Sequence, residues 1–336
     1  MNALSRFNTR YPFHPFPTGW FAVGFSDDLQ PKEVRPLHYF GQEMVLFRTE
    51  SGEAVVTDAH CPHLGAHLGY ESWVEGEAIV CPFHQWKYGT DGKCVHVPYA
   101  KAIPPRARVK VWPIAERGGM IFVWHDLGGA EPGYELPVFD ESRKRAGSGF
   151  RKMHDEFGAM HPQDAFENGV DFAHFPGVHG TGMVISGGPI TEPEPHRFVS
   201  PVRILPPGYD GPKDDPRIGS TVDSQVIGGG LSRVESRTPS APGATTVYYV
   251  GVTPVNEQLS HYYVHQFMLV DDDCPMSAEA LDRFIQLSRE HGIREQWSDG
   301  KIWPHKAYVE KPLLSSADGP ILKYREWYKQ FHPEVA

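Results

Sequence analysis

The sequence predicts an α+β protein in two parts: a small all-β domain, then a domain of long strands closed by a helix. Three observations predict it. Up to about residue 130, short apolar and aromatic runs alternate with turns containing Gly, Asp and Ser. Between 221 and 270 the β-like stretches lengthen, and from Ser277 a helical pattern takes over. Strands followed by a helix, rather than alternating with helices, point to a sheet wrapped on a helix.

The elements follow in order. GWFAVGFS (19–26), QEMVLFRT (42–49), EAVVTDAH (53–60), EAIVCPFHQWKYG (77–89) and GGMIFVWHD (118–126) read as strands. Glu50-Ser51-Gly52, Glu75-Gly76 and Thr90-Asp91-Gly92 supply turns between them. The Gly- and Pro-rich stretch 126–140 reads as a linker, giving expected domains at 1–130 and 131–336. A polar and aromatic segment around 158–175 has helical character and stops at FPGVHG. Two long β-like stretches follow, 221–237 and 245–270, and then a helix over 277–297 that opens on Ser277 with Glu279 in its first turn.

At 336 residues the chain exceeds one average domain. A net charge of −10 argues against a nucleic-acid partner, which needs a basic face. No stretch approaches the roughly 20 apolar residues of a membrane span, and the N-terminus lacks the apolar core of a secretory signal. Only four cysteines, Cys61, Cys81, Cys94 and Cys274, occur in this long chain, so thiols that are reduced or metal-bound are expected, in the cytoplasm.

Two of those cysteines have histidine company. Cys61-x-His63 and Cys81-x-x-His84 are separated by residues 64–80, and each pair sits in a proline-containing loop at a strand end. Two Cys and two His also make a structural zinc formula, but zinc fingers place their cysteines together and their histidines together. Here each loop offers one thiolate and one imidazole. That distribution suits a cluster in which two thiolates hold one iron and two imidazoles the other. Cys94 and Cys274 lack such company, and Cys94 reads as a packed thiol.

The stretch CPHLG…CPFHQWKYGTDGKC resembles the Rieske [2Fe–2S] motif, which implies cluster ligands Cys61, His63, Cys81 and His84. Respiratory Rieske proteins carry two further cysteines that bridge the cluster loops. Ala66 and Phe83 stand at the matching positions, so the resemblance is to the Rieske domain of an oxygenase or its ferredoxin. Gln85 departs from the glycine common after the second histidine and adds bulk beside the cluster.

The second constellation is FENGVDFAHFPGVHG, 166–180. Asp171 and His174 share a helix face. His179 would point about 140° away from His174 on an unbroken helix, but Pro176 and Gly177 lie between them and allow a bend. Two imidazoles plus one carboxylate is the arrangement for a dioxygen-binding, non-haem Fe(II). The segment resembles the Asp-x-x-His-x-x-x-x-His signature of Rieske non-haem iron oxygenase α subunits, with Glu167-Asn168 strengthening the match.

That resemblance implies a helix-grip catalytic domain with an antiparallel sheet, iron ligands His174 and His179, and a third ligand from a C-terminal helix. Asp299 in QWSDGKIWPHKAY is nominated, although Ser-Asp-Gly also reads as a turn, and Asp318 is the second candidate. The family role of Asp171 is a bridge that carries electrons from His84 of one subunit to His174 of the next, which implies a homotrimer. Also implied are O2, a small hydrophobic substrate, and electrons from NAD(P)H through a reductase or ferredoxin, in a bacterial cytoplasm. Residues 81–114 and the ending KPLLSSADGPILKYREWYKQF (311–331) resemble the 3-ketosteroid 9α-hydroxylase oxygenase component and related sterol desaturases. Demethylases and aromatic-ring oxygenases share the architecture, and a non-catalytic redox or ligand-binding protein is the alternative of another class.

Overall fold

Apolar alternation and glycine turns cut residues 19–125 into ten short strands: β1 (Gly19–Phe25), β2 (Val34–Tyr39), β3 (Gln42–Arg48), β4 (Ala54–Asp58), β5 (Trp73–Glu75), β6 (Ala78–Val80), β7 (Lys87–Tyr88), β8 (Cys94–His96), β9 (Ile114–Arg117) and β10 (Met120–His125). The computed structural model describes residues 10–145, 150–215 and 217–333, in two units, one of them Phe21–Gly133. In that unit the strands form three antiparallel sheets, ordered β1-β10-β9, β2-β3-β4 and β5-β6-β7-β8. The run 77–89 is not one strand. Its centre, 81–86, leaves the sheet between β6 and β7 as a loop. Val45, Phe47, Val55, Leu68, Ile79 and Tyr88 pack around Cys61 and Cys81 in one core.

The second unit combines the chain from Tyr134 onward with residues 10–20, which the expected boundaries had grouped with the first domain. The cause is a set of long-range hydrogen bonds. The Arg10 guanidinium donates to the carbonyls of Ala159 (3.0 Å), Lys306 (2.7 Å) and Trp303. Thr18 N–H donates to Phe331 O at 2.7 Å and Trp20 Nε1 to Tyr134 O at 2.9 Å.

This unit carries β11 (Phe150–Gly158), α1 (Pro162–Phe166), α2 (His174–His179), β12 (Val184–Ser186), β13 (Thr191–Glu194), β14 (Arg197–Ile204), β15 (Ser220–Ile227), β16 (Leu231–Arg237), β17 (Ala244–Pro254), β18 (Ser260–Val270), α3 (Ala278–Gly300) and α4 (Ile321–Tyr328). Its sheet is antiparallel, ordered β11-β18-β17-β16-β15-β14-β12, with β13 added beside β14. The stretch 221–237 is a hairpin, broken at Gly228–Gly230. Gly228 takes φ +62°, and a Cβ there would lie 1.6 Å from the Tyr134 hydroxyl, so only glycine fits.

Helix α3 starts as its sequence signal predicts, with Ser277 Oγ accepting from Ala280 N–H. Leu281 and Ile285, one turn apart on its buried face, join Val252, Val264 and Met268 of the sheet. Tyr324, Trp327 and Tyr328 of α4 complete that core. Among the described residues, no helix is long and apolar enough to cross a membrane.

Candidate metal centres and substrate cavity

The two Cys–His loops are the same turn built twice. In each, the cysteine carbonyl accepts from the N–H four residues on: Cys61 O from Gly65 and Cys81 O from Gln85, both at 2.9 Å. In each, the cysteine N–H donates to the carbonyl of the next residue along, Ala66 O and Trp86 O, also at 2.9 Å. The fifth position is left-handed in both, φ +78° at Gly65 and +58° at Gln85. Gln85 therefore occupies a glycine position, at a cost of about 1 kcal/mol, and its side chain is exposed.

Burial divides the four candidate ligands. Cys61 and Cys81 are buried, whereas His63 and His84 are only partly covered, beside exposed Leu64, Phe83 and Tyr99. The His63 and His84 rings lie 4.5 Å apart between centroids. Trp86 stacks on His63 at 4.4 Å and donates its Nε1–H to Tyr99 Oη at 2.7 Å, which fixes the ring below the imidazole. Tyr88 Oη lies 3.1 Å from Cys61 Sγ. Burial, then the Cys61 contact, pushes the Tyr88 phenol well up, so it keeps its proton and donates to sulfur. A hydrogen bond from Cys81, and then one from Tyr88, pulls the Cys61 thiol down against the effect of burial, while the same Cys61–Cys81 bond raises Cys81. The four cysteines form no disulfide, and Cys94 is a buried thiol donating to His96 O.

Among the described residues, one set of three His, Cys, Asp or Glu donors is close enough to share a single ion: His174, His179 and Asp299, all within 4.8 Å of one another. The Cys–His set of the first unit does not gather in that way, as a single zinc ion would require. Two sulfurs at one end and two imidazoles at the other match a two-iron cluster instead.

In the second unit, His174 and His179 begin and end α2. Their Nε2 atoms lie 3.0 Å apart, and Asp299 oxygens reach His174 Nε2 at 3.9 Å and His179 Nε2 at 3.5 Å. Ligands each about 2.1 Å from a shared ion stand at comparable separations. Residues 174–179 form one short helix that contains Pro176 and Gly177, and at its end the Gly180 N–H reaches back five residues to Phe175 O. Pro176 is the third helical residue, where its missing N–H would have had no partner within the helix.

Asp299 lies within α3, one residue before its last, so the breaker signals at Gly300 and Pro304 mark the end of the helix and the turn after it. Asp318 stands apart, accepting from Ser315 N–H at 2.6 Å in an exposed turn.

Asp171 meets His174 differently from expectation. Its main-chain carbonyl, not its carboxylate, takes the imidazole Nδ1–H at 2.8 Å, which aims Nε2 at Asp299 and His179. Carboxylate oxygen Oδ1 accepts from Ala173 and His174 N–H, both at 3.2 Å, and so caps α2. Burial lowers the His174 pKa, favouring the neutral imidazole that binds metal.

Upstream, a buried ion network holds this segment. Arg325 forks onto Glu167 with bonds of 2.5 and 2.7 Å, and Lys306 donates to Asp164 at 2.9 Å. Glu167 of the Glu-Asn pair is thus structural. Asn168 lines the cavity.

That cavity, about 740 Å³ with the open solvent at its mouth included, has His174, His179 and Asp299 in its wall. The rest is largely apolar, with Phe166, Phe175, Val202, Val234 and Trp303. Asn168, Ser224, Ser232, Trp86 and Tyr88 were not read from the sequence as functional. The signal that could have found them is strand alternation, which sends Tyr88 inward beside Lys87 and the serines to the same face as neighbouring valines.

A fold with a Cys–His loop pair in one unit and a His–His–Asp set in the other defines an oxygenase with two iron centres. Residues 19–113 match the Rieske [2Fe–2S] domain and residues 123–332 the 3-ketosteroid 9α-hydroxylase C-terminal domain. The chain belongs to the Rieske oxygenase family with a catalytic domain of that 3-ketosteroid 9α-hydroxylase type. It is an oxidoreductase whose cofactors are a [2Fe–2S] cluster and a mononuclear iron.

A probable 3-ketosteroid-9-alpha-monooxygenase oxygenase component of Rhodococcus rhodochrous is 31% identical, covering 96% of this chain and 82% of the relative. Cholesterol 7-desaturase nvd of Xenopus laevis is 30% identical, covering 94% of this chain and 72% of the relative. The fold also matches dicamba monooxygenase bound to dicamba, with TM-score 0.69 and 16% identity over 94% of this chain and 97% of that one.

Proposed function

We propose that this chain is a terminal oxygenase that hydroxylates a bulky, neutral, hydrophobic substrate such as a ketosteroid, using O2 and NAD(P)H electrons delivered by a reductase or ferredoxin. The observation that carries the reading is the apolar cavity with His174, His179 and Asp299 in its wall. Bound at the two centres, a Rieske cluster supplies single electrons and a mononuclear iron supplies dioxygen activation.

The chain's own residues do the rest. Cys61 and Cys81 hold the buried end of the cluster, and His63 and His84 the end nearer the surface. His174 and His179 offer neutral Nε2 donors, and Asp299 a carboxylate that reaches both. Phe166, Phe175 and Trp303 hold the substrate skeleton and exclude water from it. Asp171 links His174 to His84 of a neighbouring subunit, which makes the working form a homotrimer, in a bacterial cytoplasm.

The test is incubation of iron-replete protein with NADH, dioxygen, a ferredoxin–reductase pair and a 3-ketosteroid, with products read by mass spectrometry. Gain of one oxygen supports the reading. Turnover of an aromatic methyl ether or methylamine by loss of methyl, with the steroid untouched, overturns it. A second reading, desaturation, is favoured by the 30% identity to a cholesterol 7-desaturase, and its mark is loss of two hydrogens from a sterol.

A further inference from the structure

The sheet face that floors the cavity is valine-rich and is interrupted by two hydroxyls. Val202, Val222, Val234 and Val250 line it together with Ser224 and Ser232. In the β15–β16 ladder Ser224 stands opposite Val234 and Ser232 opposite Val226. The two serines are therefore diagonal neighbours on one face, about 7–8 Å apart in such a ladder.

Ser224 is 6% exposed and Ser232 5%. They carry the two aliphatic hydroxyls in the cavity wall. An apolar molecule filling the cavity would cut both hydroxyls off from water, and hydroxyls left without partners are costly; valine, used at the adjoining positions, would avoid that cost. A bound molecule that brings its own polar atom removes it.

The wall restricts that atom's chemistry. It contains no Lys or Arg side chain, and its titratable groups are the metal donors His174, His179 and Asp299 and the phenol of Tyr262. A carboxylate or phosphate would find no counter-charge apart from the metal donors. A ketone accepts from a serine hydroxyl, and an alcohol can both accept and donate. Ser224 also lies against the histidine-bearing segment, since a Cβ on Gly169 would come within 2.5 Å of its Oγ.

We infer that Ser224 and Ser232 hold the oxygen of a neutral, otherwise apolar substrate, a ketone or alcohol, and so set which part of the skeleton meets the His–His–Asp donors. This rests on the reading of the cavity as the substrate site.

Equilibrium dialysis of the holoprotein with a steroid bearing one ketone, and with its methylene analogue in which CH2 replaces the ketone oxygen, tests it. Wild type should bind the ketone about tenfold more tightly, the worth of one to two neutral hydrogen bonds. Ser224→Ala/Ser232→Ala should remove that preference and leave binding of the methylene analogue unchanged. Gly169→Ala, which displaces the Ser224 hydroxyl, should reduce the preference in part. A preference retained by the double variant, or absent from wild type, overturns the assignment. Product formation is scored separately: ketone-selective binding without hydroxylation keeps the anchor and sinks the hydroxylase reading.

Discussion

Among single residues, Tyr88 has the clearest consequence for the iron–sulfur centre. Its hydroxyl donates to Cys61 Sγ, and a donor at sulfur stabilises the extra electron density of a reduced cluster. Tyr88→Phe should lower the reduction potential while leaving the visible spectrum of an intact cluster; an unchanged potential in a redox titration would refute this. His179→Ala or Asp299→Ala should cost one iron per chain by metal analysis, with the cluster retained. Loss of both centres together would mean these residues are structural. Cys61, His63, Cys81 and His84, the proposed cluster ligands, stood out in the sequence because ligand chemistry restricts residue type and spacing. Tyr88 was hidden because an aromatic within a strand reads as core. The carbonyl of Asp171 was hidden for another reason: every residue has one, so side-chain identity carries no signal for it.

At the level of elements, helix ends were legible where a side chain made them. Ser277 capped α3 as expected, and Ser277→Ala should destabilise the protein by about 1 kcal/mol in chemical denaturation. The other end runs three residues past the expected 297, through Asp299 to Gly300, and Arg10 ties down the carbonyls of Trp303 and Lys306 just beyond. The hairpin of β15 and β16 was read as one stretch because both arms share the same alternation. The Glu167–Arg325 pair, 158 residues apart, had no sequence signature. Arg325→Met strands a buried carboxylate and should cost about 3–5 kcal/mol; a well-packed apolar replacement of both partners should recover most of that. Equal losses in the single and double variants would show that the pair is not the source.

For the molecule as a whole, buried histidines set the acid limit. Phe13 stacks on His332 at 4.3 Å, and His161 lies between Phe13 and Tyr328. Burial, and then the nearby His14, lowers His332 from 6.5 to about 4, and burial lowers His161 as well. Between those values the unfolded chain binds protons that the folded chain refuses, so stability rises with pH there and falls as pH drops from about 6.5 toward 4. Melting temperatures should be flat above pH 7 and decline below 6.5, less steeply in His332→Gln; an equal slope in that variant would rule the site out. The two-part α+β organisation was legible because strand length and spacing change along the chain. The placement of residues 10–20 was not, since nothing local in an Arg-Tyr-Pro-Phe stretch names partners far along the sequence.

That placement has a consequence for biosynthesis. The Arg10 side chain finds its acceptor on Lys306, 296 residues later. At about 5–20 residues per second a ribosome needs roughly 15–60 s to cover that distance. The contiguous unit Phe21–Gly133 has all its residues long before then. Arg10 must wait for residues 303–306 before it can make these bonds. A chain stalled before residue 303 therefore has every residue of that unit but lacks the Trp303 and Lys306 carbonyls that hold Arg10.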